Sequence, residues 1–138
     1  MHTPNRFRKR FRRGAALVEF AVVAPVLMLI LLGTIEFGRA MLLKNSVTAA
    51  AREAAREATL PSSTEQTVTD AATNYTDQVS PETATVSISP SLSSVEAGDM
   101  ITVTVTIPAS AISPLGSTWM GADFQVGGSA SMRREGYQ

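Results

Sequence analysis

The chain has 138 residues, with twelve basic side chains, twelve acidic side chains, one histidine and no cysteine. This length allows one modest domain, and the lack of cysteine excludes disulfides and thiol catalysis. Because the only histidine, His2, lies near the N-terminus, the body of the chain cannot build a Ser-His-Asp triad or a histidine metal site. We therefore expect no enzyme activity, no cofactor and no bound metal.

Residues 1–14 form a strongly basic leader. Half of all lysines and arginines precede Gly14 with no acid among them, namely Arg6, Arg8, Lys9, Arg10, Arg12 and Arg13. Such an arm can bind nucleic acid. It lies directly before a long apolar run, however, and basic residues next to a membrane span stay on the cytoplasmic side. We therefore predict a cytoplasmic flank and no nucleic-acid partner.

Residues 15–35 predict one transmembrane helix. Glu19 is the only charge in these 21 residues, and a helix of this length crosses a hydrocarbon core of about 30 Å. Pro25 removes one backbone donor and is expected to bend the helix, which membrane helices tolerate. The basic flank predicts a cytoplasmic N-terminus and an extracytoplasmic C-terminal part.

Helical signals continue beyond the predicted span, so we expect one long helix over residues 15–59. The stretch "AAAREAAREA" is rich in strong helix formers and places Glu53 and Arg56 at i, i+3. Its alanine face, Ala49, Ala50, Ala54 and Ala58, suits either a partner helix or the protein's own sheet. Pro61 ends the helix.

Residues 60–138 predict a small extracytoplasmic α+β domain. A short helix ending near Val79 is expected, capped by Ser62 with Glu65 or by Ser63 with Gln66, with an apolar face formed by Val68, Ala71, Ala72, Tyr75 and Val79. The stretches "TATVSIS" and "MITVTVTI" alternate with period two and predict antiparallel strands joined through "EAGD". "ADFQVGGSASM", residues 122–132, suggests a third strand. The fold class is thus α+β, with a sheet of two or three strands that the short helix is placed to cover.

Glu19 is the candidate functional residue, because a carboxylate inside a membrane span is costly and by default marks function. One interpretation is an ordinary anchor whose carboxylate reaches the headgroups. The other is that a peptidase cuts after Gly14, and that Glu19 pairs with the new amine of Ala15 in its own or a neighbouring subunit. Cleavage by ordinary signal peptidase before Met41 is a third alternative, disfavoured because signal-peptide apolar regions are shorter than this run.

The N-terminal motifs resemble those of type IV prepilins. "RRG" followed by "AALVEF" has the basic leader, the glycine before the cut and the glutamate at the fifth mature position, which is Glu19 here. The run "RGAALVEFAVVAPVLMLILLGTIEFGRAM" and the "AAREAAREA" stretch are similar to the TadE-like minor pseudopilins of the tight-adherence (Flp) pilus. A sequence like "MRREG" near the end also occurs in that family.

This resemblance implies cutting between Gly14 and Ala15 by a prepilin peptidase. It implies assembly with the major Flp pilin and other TadE-like or TadG-like pseudopilins, on an inner-membrane assembly platform and in contact with membrane lipid. Candidate helix contacts are Phe20, Glu36 and Arg39, although the last two also suit a local i, i+3 pair. Because major Flp pilins are little more than the helix, a minor or tip-associated role is favoured. A membrane-anchored extracytoplasmic binding module is the alternative.

Overall fold

The computed structural model describes residues 7–78, 84–108, 110 and 124–136. The elements in chain order are α1 (Phe7–Ala58), α2 (Glu65–Thr76), β1 (Thr85–Ser89), a 3₁₀ turn (Leu92–Ser94), β2 (Met100–Pro108) and β3 (Gln125–Arg133). One long helix, one short helix and a three-stranded antiparallel sheet confirm the predicted α+β class. The chain divides into two compact units, Met1–Phe37 and Gly38–Gln138.

Helix α1 begins at Phe7, within the predicted leader, rather than near Ala15. Once the apolar segment is helical, each further residue adds one hydrogen bond, and arginine and lysine are good helix formers, so the helix extends backwards at little cost. Pro25 lies inside it.

At its other end α1 closes with a turn before Pro61. The Thr59 hydroxyl donates to the Arg56 carbonyl at 2.7 Å, and the Ser63 hydroxyl donates to the Glu57 carbonyl at 2.5 Å. The same two carbonyls also accept the backbone amides of Thr59 and Leu60, so side chains and a tightened last turn together supply partners at the helix end. The predicted pair of Glu53 and Arg56 is present at 2.7 Å, and its hydrogen bond raises the pKa of the Arg56 guanidinium.

The sheet has the order β1-β2-β3, with antiparallel pairing throughout. The central strand alternates as its sequence predicts: Ile101, Val103, Val105 and Ile107 are fully buried, and the threonines are partly exposed on the other face. Residues opposite the threonines are Thr85, Ser87 and Ser89 on β1 and Gly127, Ser129 and Ser131 on β3. The outer face is therefore hydroxyl-rich, with Arg133 at one end, and is typical of the solvated side of an antiparallel sheet.

The core lies between the inner face of the sheet and both helices. Its buried members on α1 are Leu43, Val47, Ala50, Ala51, Ala54, Ala55 and Ala58, and they pack in one cluster with Val68 and Ala72 of α2 and with Ile101, Val103, Val105 and Ile107 of β2. The alanine segment thus covers its own sheet. The sequence predicts that α2 covers the sheet, and in the structure α1 and α2 cover it together. Small alanine side chains allow the longer helix to approach the strands closely.

Helix α2 differs in detail from its prediction. Its N-cap is Thr64, not Ser62 or Ser63, and a capping box forms with Thr67, whose amide donates to the Thr64 hydroxyl at 3.2 Å. The helix ends at Thr76, so its buried face is Val68, Ala72 and Thr76. Tyr75, predicted to be apolar core, is 45% exposed. Val79 and the start of the "ADFQVGGSASM" segment lie outside the described residues.

The connection between β1 and β2 turns at Gly98, whose φ of +94° is a conformation that glycine adopts without steric cost. The end of the chain closes this connection. The Arg134 guanidinium donates to the Leu92 carbonyl at 2.8 Å, and its amide donates to the Asp99 carbonyl at 2.8 Å. The Glu135 amide donates to the Thr59 carbonyl at 3.0 Å. The "MRREG" stretch therefore ties together the end of α1 and the β1–β2 connection.

Candidate processing and assembly segment

The first unit presents a continuous apolar surface along α1. From Leu17 to Phe37 its large apolar side chains are all exposed, and an 18-residue window of this helix has a mean hydropathy of 2.6 with none of it buried. In water such a surface would be strongly unfavourable, at about 25 cal/mol for each Å² of apolar area. Within the described residues, α1 is the one helix long and apolar enough to cross a membrane.

Gly14 and Glu19 lie within this exposed helix. A Cβ added at Gly14 would meet no heavy atom within 4 Å, so nothing in the fold packs against this position. Glycine weakens a helix by about 1 kcal/mol relative to alanine, so the peptide bond to Ala15 is at a point that unwinds more easily than its surroundings. Glu19 is exposed and follows Ala15 by four residues, about one helical turn.

The other candidate contacts also lie on α1. Phe20 is 66% exposed, so its ring is available to lipid or to another helix. Glu36 is half-buried and Arg39 exposed, and the two are one helical turn apart. Whether Glu36 and Arg39 contact each other or a second subunit stays a prediction.

The second unit offers an open, hydroxyl-rich groove of about 490 Å³. Its lining residues are Ser63, Thr64, Glu65, Ser91, Leu92 and Ser93. The Ser91 hydroxyl donates to the Glu65 carboxylate at 2.7 Å, so the one carboxylate in the groove is engaged locally. Over residues 7–78, 84–108, 110 and 124–136, no group of three or more His, Asp or Glu side chains is placed to hold a metal ion.

Two contacts between α1 and β3 were not predicted from the sequence. The Lys44 ammonium donates a hydrogen bond to the Gly127 carbonyl, and Gly128 lies directly against the backbone of Thr48. The two glycines do not interrupt the sheet, since β3 pairs with β2 continuously from Gln125 to Arg133. A glycine on the buried side of a strand is the signal that could have indicated a close backbone approach.

The family comparison concerns the same helix. A model of the family described as TadE-like protein matches residues 14–56, about a third of the chain, beginning at Gly14 and ending two residues before the end of α1. No curated protein and no solved structure matches the chain. The matched segment contains Gly14, Glu19, the apolar surface and the alanine-rich cover of the sheet. Over residues 14–56 the chain therefore matches the TadE-like family, as its N-terminal motifs predicted.

Proposed function

We propose that this chain is a minor pseudopilin of a tight-adherence (Flp) pilus system, a structural assembly subunit and not an enzyme. A prepilin peptidase cuts it between Gly14 and Ala15, and the mature subunit assembles through α1. The single observation that carries the proposal is the family match, which begins at Gly14 and covers the exposed apolar part of α1 as well as its alanine-rich part. Before assembly, the chain is a single-pass inner-membrane protein with its N-terminus in the cytoplasm.

The charge distribution supports a role for cleavage in releasing the subunit. The leader carries six basic side chains, and each contributes about 1 kcal/mol when held near an anionic membrane surface. Cutting after Gly14 removes all six, and the remaining chain has six basic and twelve acidic side chains. Extraction of the mature helix from the cytoplasmic leaflet then costs less.

The position of Glu19 supports a role in setting helix register. After the cut, Ala15 would carry a free amine and become the first residue of α1, so positive charge and the positive end of the helix dipole would lie about one turn from Glu19. A carboxylate in a membrane is costly unless it is paired, so helices would pack where Glu19 meets the amine of its own or a neighbouring subunit.

The second unit supports a minor role rather than the filament body. Residues Gly38–Gln138 have their own buried core, built from both helices and the sheet, in contrast to a subunit that is little more than a helix. The major pilin, other TadE-like or TadG-like subunits and the inner-membrane assembly platform are the partners that we propose on this basis.

Cleavage is tested with Gly14→Leu and the matched variant Gly33→Leu, each co-expressed with a prepilin peptidase. Both glycines are exposed in α1 with no heavy atom near an added Cβ, so the two substitutions perturb the helix alike. Gly14→Leu is expected to stay uncut, because leucine introduces bulk next to the scissile bond, while Gly33→Leu is cut normally. Cutting of Gly14→Leu at the same bond would contradict the proposed site.

Assembly is tested with Glu19→Leu, with Val18→Leu, at an exposed neighbouring position on the same helix, as the control. Glu19→Leu is expected to insert and be cut but to lose co-purification with the major pilin and with the second TadE-like subunit, because the paired charge is gone. Normal co-assembly of Glu19→Leu would contradict charge pairing. If neither the parent chain nor the variants are cut or co-purify, a membrane-anchored binding module becomes the better account.

A further inference from the structure

We propose that one end of the second unit, the apolar rim formed by Met41, Leu42 and Phe124, docks onto the membrane surface. The three side chains are 53%, 66% and 46% exposed, although each is large and apolar. This inference rests on the membrane insertion of α1 and does not depend on processing or on pilus assembly. It concerns where the second unit lies in the membrane-anchored protein.

Contacts between α1 and β3 indicate that these residues are at the same end of the unit. Along β3 and just after it, Gly127 bonds to Lys44, Gly128 lies against Thr48, and the amide of Glu135 bonds to Thr59. The strand therefore runs in the same direction as the helix. Phe124 precedes the first of these contacts on the strand, as Met41 and Leu42 precede it on the helix.

The opposite end of the same unit provides an internal comparison. Met100 is 52% exposed, and it pairs with Arg133, close to where Glu135 meets Thr59. Phe124 and Met100 are thus two apolar side chains of similar exposure at opposite ends of the paired strands β2 and β3. The end with Met100 also carries Leu60, 41% exposed, just after α1, whereas the end with Phe124 carries two exposed apolar side chains from α1 itself.

The length of chain from the span to the rim favours lipid as the occupant. The predicted span ends at Ile35, and Met41 follows six residues later. Six residues reach about 9 Å as a helix and no more than about 20 Å when extended. The headgroup region extends about 5–8 Å beyond the hydrocarbon core on each side. Apolar side chains of segments that lie on a membrane are buried about 5–10 Å into the boundary between headgroups and acyl chains. The rim is therefore held close to the headgroups.

The test uses single cysteines, since the chain has none of its own. Full-length Phe124→Cys, Met100→Cys and Leu31→Cys are labelled with an environment-sensitive fluorophore and placed in nanodiscs of phosphatidylethanolamine and phosphatidylglycerol, with and without headgroup-quencher lipids. We expect a blue shift and strong quenching of the label at residue 124 and neither effect at residue 100. The label at residue 31 reports insertion of α1 by a blue shift.

Two results would overturn the proposal. Equal, solvent-like signals at residues 124 and 100, with residue 31 in lipid, would show that the rim faces water or a protein partner. A solvent-like signal at residue 31 would remove the membrane anchor and the inference with it. To exclude an effect of the label, Phe124→Ser with a label at residue 42 is compared with the parent carrying the same label, and the variant should be quenched less.

Discussion

The approach of α1 to the sheet at Gly128 yields the sharpest stability prediction. A Cβ added there would lie 2.8 Å from the Thr48 Cα and 2.9 Å from its amide nitrogen. Carbon atoms in contact prefer about 3.5–4.0 Å, so Gly128→Ala would push the two backbones apart by about 1 Å and loosen the contacts between α1 and the sheet. Neither obstructing atom belongs to a side chain that could rotate away.

The magnitude follows from two opposing effects. Overpacking a close contact destabilises the fold by about 1–3 kcal/mol. Replacing glycine by alanine stabilises it by about 0.4–1 kcal/mol, because alanine lowers the conformational entropy of the unfolded chain. The net destabilisation of Gly128→Ala is therefore about 1–2 kcal/mol, which corresponds to a fall in Tm of about 5–15 °C for a unit of this size. Gly128 does not have a positive φ, so no backbone strain is added.

The assay is thermal unfolding of the full-length chain in detergent micelles, followed by near-ultraviolet circular dichroism. Gly127→Ala is the matched control, because its added Cβ would meet only the tip of the Thr106 side chain at 3.0 Å and a carbonyl oxygen at 3.6 Å. We expect Gly127→Ala to change Tm much less. Equal Tm values for the two variants would refute the close packing of α1 on β3.

Two further predictions concern hydrogen bonds in the second unit, namely the N-cap of α2 and the bond from Arg134 to Leu92. Thr64→Ala should destabilise the second unit by about 1 kcal/mol through loss of the N-cap, whereas Ser62→Ala should leave Tm unchanged. A larger fall in Tm for Ser62→Ala than for Thr64→Ala would contradict the cap at Thr64. Arg134→Ala should cost about 1–2 kcal/mol, because a charged donor to the Leu92 carbonyl is lost. The neighbouring Arg133→Ala should have little effect in the same thermal assay, since that side chain is exposed.

Patterns confined to one element were predicted well. The alternation in β2 identified its buried face because side-chain direction in a strand has a period of two and needs no knowledge of the partner. The i, i+3 pairing of Glu53 and Arg56 was likewise set by helix geometry alone. The exposed apolar helix from Gly14 onward was predicted by length and composition.

Choices between neighbouring or competing partners could not be made from the sequence. Ser62, Ser63 and Thr64 are adjacent and all can cap a helix, so the cap depends on where the turn after Pro61 places the chain. The alanine face suited a partner helix and the protein's own sheet equally, because small residues allow close approach in both. Arg134 bonds to Leu92, which is 42 residues away in the chain. Local sequence patterns do not predict contacts over such a separation.

The most direct test of the central claim is the intact mass and N-terminal sequence of the membrane-extracted chain, expressed with and without a prepilin peptidase. We expect a chain that begins at Ala15 only when the peptidase is present, with the whole basic leader removed. A chain that still begins at Met1 in the presence of an active peptidase would contradict processing after Gly14 and, with it, the pseudopilin assignment.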